Sequence, residues 1–243
     1  REATSQLSWG GVVWSVIDVA REAISLGRER IAIIVDDVFQ AIGIDRAAIY
    51  VKGMLGILEH PPRPYERVVT IAATSEGMSL REIGRHEWAN LRPMWNMGKE
   101  GFRQLYEQIP GGKPDFEEAW RLTGGNPRIL EMLYKANWDT EAVINDLITR
   151  KNLTYNFIRR WHGHLGETVN DPDYLWFNAP EELTDELISR NLILYFLPRR
   201  MEPLWIDEPP PERDLELGIG RYVAWQTPLH REAVRRALEA FRP

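Results

Sequence analysis

Cysteine is absent from all 243 residues, which excludes disulfides and thiolate zinc sites, fits a reducing interior and makes the cytoplasm the expected location. No uninterrupted apolar run approaches the roughly 18 residues of a membrane span, so no membrane segment is expected. Arg1 to Leu7 has neither the basic start nor the apolar core of a signal peptide. Positive charge is also scarce: 30 Lys and Arg stand against 36 Asp and Glu, a net charge of −6, so nothing at whole-chain level points to nucleic acid. What is there is an ordinary globular composition, 44% hydrophobic and 27% charged, which excludes a disordered chain. The length is enough for two units, each burying its own core.

Val13, Ile17, Ala20 and Ile24 recur at helical spacing between Val12 and Leu26, and Gly27 with Arg28-Glu29-Arg30 ends that helix. A buried strand follows, Ile31-Ala-Ile-Ile-Val, running straight into Asp36-Asp37. The pattern is helical again through Ala47, Val51, Leu55 and Leu58, breaks at His60-Pro-Pro-Arg-Pro64, and gives a second buried strand from Arg67 to Ala73. Strands alternating with helices predict a parallel α/β sheet.

Five apolar residues entering paired carboxylates is how magnesium is held beside a bound nucleotide in phosphate-loop proteins. On that reading Asp36 binds the metal, directly or through its water, and Asp37 orients or deprotonates an attacking water. The alternative is a strand-exit turn or the cap of the next helix. The second strand ends in Ala72-Ala73-Thr74-Ser75-Glu76-Gly77, placing hydroxyls at the strand edge where open α/β sheets bind ligands. Thr74 or Ser75 could read a γ-phosphate, or cap a helix starting near Ser79. In the polar helix Ser79 to Leu91, Arg81 and Arg85 lie one turn apart, and either could meet a phosphate or simply face solvent. The sequence G-x-x-x-x-G-K-[ST], whose amides and lysine would grip the phosphates, does not occur.

After Met94-Trp95-Asn96-Met97, a helix from Lys99 to Gln108 stops at Pro110-Gly-Gly112, and another runs from Asp115 to Leu122. Thr123-Gly124-Gly125-Asn126-Pro127-Arg128 then ends one helix with glycine and starts the next, with Asn126 as its cap and Pro127 in its first turn. Backbone geometry accounts for each of these except Arg128.

Taken together, IAIIVDDVFQAIG, ATSEG, MWNM, TGGNPR, RNLILYF and the tail GIGRYVAWQTPLHREAVRRALE resemble the archaeal ATPase family of the STAND branch, relatives of AAA+ proteins. The resemblance implies that Ile31 to Asp37 is the Walker B strand and that Thr74-Ser75 is sensor 1. Gly125-Asn126-Pro127, with Arg128 beside it, would be the G-x-P element on a helical lid near the adenine. It implies ATP and Mg2+ as cofactors, both needing the phosphate-binding loop for tight binding. Since family members carry that loop ahead of the segment equivalent to Arg1, this chain is expected to be a truncated piece, or the ordered part, of a longer protein. Alone it is expected to be inactive.

The implied fold is α/β: a partial P-loop sheet over 1–92, a helical lid over 93–150 and a winged-helix domain over 151–243. In the last part Leu153, Phe157, Ile158 and Trp161 share a helical face, and a short acidic helix spans Pro180 to Ser189. Strands at Leu192 to Leu197 and Arg221 to Gln226 flank a proline-rich wing, and a final helix starts at Pro228. Glu181, Glu182, Asp185 and Glu186 on the helix before the wing would repel DNA phosphates, so a protein partner is favoured over DNA. A non-catalytic DNA-binding or scaffold protein retaining the ATPase shape is the alternative. His162 and His164 read as an exposed helix end or turn rather than metal ligands, and Trp88, Trp95, Trp120, Trp138, Trp176, Trp205 and Trp225 as packing anchors.

Overall fold

Ile33 and Val35 alternate with exposed neighbours along one strand, and that two-residue period sets which way its sheet faces. In the computed structural model, which describes residues 3–37, 42–75, 90–195 and 197–241, the chain divides into two units, 1–91 and 92–243. In the first, α1 (Ala3–Ser25) leads to β1 (Arg30–Asp36), α2 (Ile44–Glu59) and β2 (Arg67–Ala73). Strands β1 and β2 pair in parallel, from Arg30 opposite Arg67 to Asp36 opposite Ala73. A parallel pair needs a crossover, and α2 supplies it.

Among the described residues one hydrophobic cluster holds this unit. Ile17, Ala20 and Ile24 of α1 and Ala47, Tyr50, Met54 and Ile57 of α2 close on Ile33 and Val35, while Trp14 meets Tyr50 edge-on at 5.5 Å. Both helices pack on the same sheet face, which corrects the expectation of strands buried throughout. On the other face Ile34 is 72% exposed, and Val69 and Ile71 are also exposed.

The second unit is mainly helical: α3 (Lys99–Glu107), α4 (Phe116–Thr123), α5 (Pro127–Lys135), α6 (Thr140–Arg150), α7 (Tyr155–Asn170), α8 (Tyr174–Phe177), α9 (Glu181–Ser189) and α10 (Pro228–Ala240). Five of the helices start on a side-chain cap: Asp115, Asn126, Asp139, Thr154 and Thr227 each accept a hydrogen bond from an N–H in the first turn. A small antiparallel sheet joins β3 (Ile193–Tyr195) to β4 (Val223–Trp225). β4 is shorter than the Arg221 to Gln226 expected, although Gln226 N–H to Leu192 C=O and Leu197 N–H to Tyr222 C=O continue the pairing at each end.

Trp120 packs against two clusters at once: Phe102, Tyr106, Ala119 and Leu130 on one side, and Leu197, Trp205, Leu217, Ile219 and Ala224 on the other. Helix α10 inserts Leu229, Ala233, Val234 and Ala237, all almost fully buried, and packs against α4, α6 and α7. Each large aliphatic side chain buried this way contributes about 1.5–3 kcal/mol. The two histidines of α7 lie in mid-helix rather than at its end. His164 Nδ1 shares a 2.8 Å hydrogen bond with the Tyr174 hydroxyl, and His162 lines a small cavity with Arg235 and Glu239.

His230, in the first turn of α10, is 7% exposed and shares a 2.8 Å hydrogen bond with Thr227 Oγ1. Burial, reinforced by the charge of Lys151, pushes its pKa down from 6.5 to about 3. The unfolded chain therefore takes up a proton there well before the folded one. The stability this ring contributes is complete above about pH 6.5 and is lost progressively as pH falls toward 3, on the order of 3 kcal/mol by pH 4. Thermal melts between pH 7 and 4 are expected to show a shallower fall in Tm for His230→Gln, which cannot charge, than for the wild type. Parallel curves would contradict this assignment.

Candidate functional site

Parallel pairing sets the carboxyl ends of β1 and β2 side by side, so residues 37 sequence positions apart meet. The register ends with Asp36 opposite Ala73, and the Asp37 N–H donates to Ala73 C=O at 3.1 Å. Asp37 then turns into the left-handed region with φ 49°, which an aspartate tolerates better than a branched apolar residue. Its Oδ1 accepts from Ser75 Oγ at 3.3 Å. The structure thus brings Asp36, Asp37 and Ser75, with Thr74 next to it, to one sheet edge. Asp36, Asp37 and Ser75 are exposed and Thr74 is half-buried. Arg85, with Arg81 and Trp88, falls in 76–89 and lies outside the described residues.

Two adjacent carboxylates with a hydroxyl beside them suit Mg2+, a hard cation that takes few ligands from protein and completes its octahedron with water and phosphate oxygens. Among the described residues no group of three or more His, Asp or Glu is placed to hold a metal by protein alone.

The Thr123 to Arg128 segment lies in the second unit, and local forces shape it. Gly124 closes α4 in the left-handed conformation, and its N–H donates to Trp120 C=O at 2.8 Å. Gly125 has φ 81°, its C=O accepts from Met97 N–H at 3.1 Å, and a Cβ there would sit 2.3 Å from Met97 O. No other residue fits that close approach without a backbone shift. Asn126 Oδ1 accepts from Ile129 N–H at 3.0 Å, capping α5. Its Nδ2 donates to Asn96 Oδ1 at 2.7 Å, so Asn126 faces inward. Pro127 and Arg128 are exposed, and Arg128 pairs with Glu131.

Sequence reasoning missed Asn96 and Asp173. Asn96 is polar between Trp95 and Met97, and that contrast is the signal that marks it. Asp173 carries no signal: it is 8% exposed and accepts from the N–H groups of Arg221, Tyr222 and Val223, residues 48 to 50 positions away.

The fold is therefore mixed α/β, with paired carboxylates at the carboxyl edge of a small parallel sheet. The sequence matches the family described as an ATPase domain predominantly from Archaea, over residues 2–133. That span is more than half of the 243 residues, and the chain belongs to this family. The match takes in β1 and β2, the Asp36-Asp37 edge and the Gly124 to Arg128 turn, and leaves 134–243 outside it. Comparison with curated proteins and with solved structures gave no match. Among the described residues no helix is long and apolar enough to cross a membrane.

Proposed function

We propose that this chain carries the metal side of the nucleotide site of an ATP-hydrolysing STAND-type switch. The Ser75 Oγ to Asp37 Oδ1 hydrogen bond carries the reading: it ties the end of β2 to the carboxylate at the end of β1, as a γ-phosphate sensor beside a water-activating acid requires. Asp36 would hold Mg2+, which supplies charge neutralisation at the phosphates when bound. Asp37 would orient the attacking water and take its proton, and Thr74 or Ser75 would sense the γ-phosphate. ATP and ADP are the ligands. In this reading Pro127 and Arg128, exposed on the turn, are the parts of the G-x-P element left open to nucleotide, since Asn126 is committed inside its own unit.

The C-terminal region supports a winged helix in its order of elements: α9, β3, a long proline-rich connection, β4 and α10. Its role would be to pass nucleotide state to a protein partner. DNA is the less favoured ligand, because Glu181 and Glu182 stand exposed in the first turn of α9 and would meet phosphate charge.

The test uses the full-length protein and a fluorescent ATP analogue, titrated with and without Mg2+. Affinity is expected to rise at least tenfold with the metal, and Asp36→Asn is expected to remove most of that rise. An affinity indifferent to Mg2+ in the wild type would sink the ATPase reading. A gene sequence upstream of Arg1 encoding a strand and then G-x-x-x-x-G-K-[ST] would supply the phosphate grip.

A further inference from the structure

Resting on the switch reading above, we infer that Asn96 is the positioning residue that couples the Gly124 to Arg128 turn to the C-terminal hairpin. The observation is a continuous chain of amide hydrogen bonds. Asn126 Nδ2 donates to Asn96 Oδ1 at 2.7 Å, and Asn96 Nδ2 donates to the Gln226 C=O at 3.0 Å. Gln226 sits at the exit of β4; its N–H donates to Leu192 C=O at 2.9 Å and its Nε2 to Asn191 Oδ1 at 3.1 Å. Asn191 closes α9 with φ 52°, and its C=O accepts from Lys151 Nζ at 3.0 Å. One side chain, Asn96, thus bridges the helix cap in the turn and the strand that precedes α10.

The packing leaves the turn little freedom to move without this bridge moving. Gly125 is pressed against the Met97 carbonyl, and a Cβ on Gly124 would stand 2.9 Å from Pro228 Cδ, the first residue of α10. Next to Gln226, Thr227 is 1% exposed and caps that same helix. A shift of Pro127 and Arg128 toward nucleotide therefore pulls on Asn96 from one end, and Gln226 with the start of α10 feels it at the other. An amide is needed at position 96 because it must accept from Asn126 and donate to a carbonyl at once. A half-satisfied network of this kind is worse than none.

The substitution Asn96→Asp separates these two duties: it keeps an acceptor for Asn126 and turns the donor facing Gln226 C=O into a second acceptor. In the full-length protein, hydrogen–deuterium exchange at the Gln226 and Thr227 amides is compared with and without the Mg2+ complex of a non-hydrolysable ATP analogue. The wild type is expected to change exchange there at least fivefold on binding. Asn96→Asp is expected to bind the analogue within about threefold of wild type and to lose that change, which a merely structural residue would not do selectively. A variant that keeps the full change overturns the inference.

A nucleotide-free arm keeps the two readings apart. Asn126→Ala should raise exchange at Gln226 in the wild-type background and add little in the Asn96→Ala background. Additive effects would overturn the relay even if nucleotide binds. If the relay holds but no Mg2+-dependent binding is seen, the ATPase reading alone has failed.

Discussion

Asp37→Asn in the full-length protein is expected to lower ATP turnover by about 10²–10⁴-fold while leaving binding of the Mg2+ nucleotide within about threefold. The substitution is close to isosteric, so the acceptor for Ser75 Oγ survives and the left-handed turn at φ 49° is kept, asparagine being at least as tolerant of it. What disappears is the charge and the ability to take a proton from water. Loss confined to turnover is the signature of a group whose contribution arises in the transition state. Steady-state turnover together with analogue binding checks it. Hydrolysis at the wild-type rate would remove Asp37 from the mechanism, and a matching loss of binding would move it to the metal role assigned to Asp36. Ser75→Ala, which removes only the hydroxyl, is expected to fall between Asp37→Asn and wild type.

The arrangement at the two strand ends was partly legible because its residue pattern is written locally. An apolar run into two aspartates and a strand ending in hydroxyls are each visible in a few residues, and parallel α/β order predicts that such ends become neighbours. The contact between Ser75 and Asp37, by contrast, depends on register, which only the pairing of Asp36 with Ala73 fixes. Helix boundaries at Gly124, Asn126 and Pro127 were readable for the same local reason: the left-handed stop and the cap are properties of the residues themselves. Which sheet face is covered was not. Ile34 and Ile71 read as core, yet both helices pack on the Ile33 and Val35 side, and periodicity does not say how many layers a sheet receives. The hardest to read were polar groups whose partners are remote in sequence. Asn96 passes for a spacer among aromatics, and Asp-Pro-Asp-Tyr at 171–174 passes for a common turn.

Asp173→Ala is expected to destabilise the second unit by about 2–4 kcal/mol, because the mutation removes a carboxylate that accepts three backbone hydrogen bonds. Its Oδ2 accepts from Arg221 N–H at 2.7 Å, and its Oδ1 accepts from Tyr222 N–H at 2.8 Å and Val223 N–H at 3.1 Å. Successive amides converging on one carboxylate form an anion-binding nest, here filled from within the chain. The opposite side of the same loop is held by Arg200, whose guanidinium donates to the carbonyls of Gly220 at 2.9 Å and Arg221 at 3.0 Å. The two charges therefore fix the loop entering β4 from both its donor and its acceptor sides. Gly220 makes the approach possible, since a Cβ there would lie 2.4 Å from Asp173 Oδ1. Truncation to alanine leaves the N–H groups without their acceptor, a cost of about 1–3 kcal/mol for a buried group. Asp173→Asn keeps one oxygen but sets an NH2 against a remaining donor, so about half of the loss is expected. For a unit of this size the alanine variant should melt about 10 °C lower, measured by calorimetry on the full-length protein. A shift of under 2 °C would mean that water replaces the carboxylate at no cost and that the loop into β4 is held by Arg200 and side-chain packing instead.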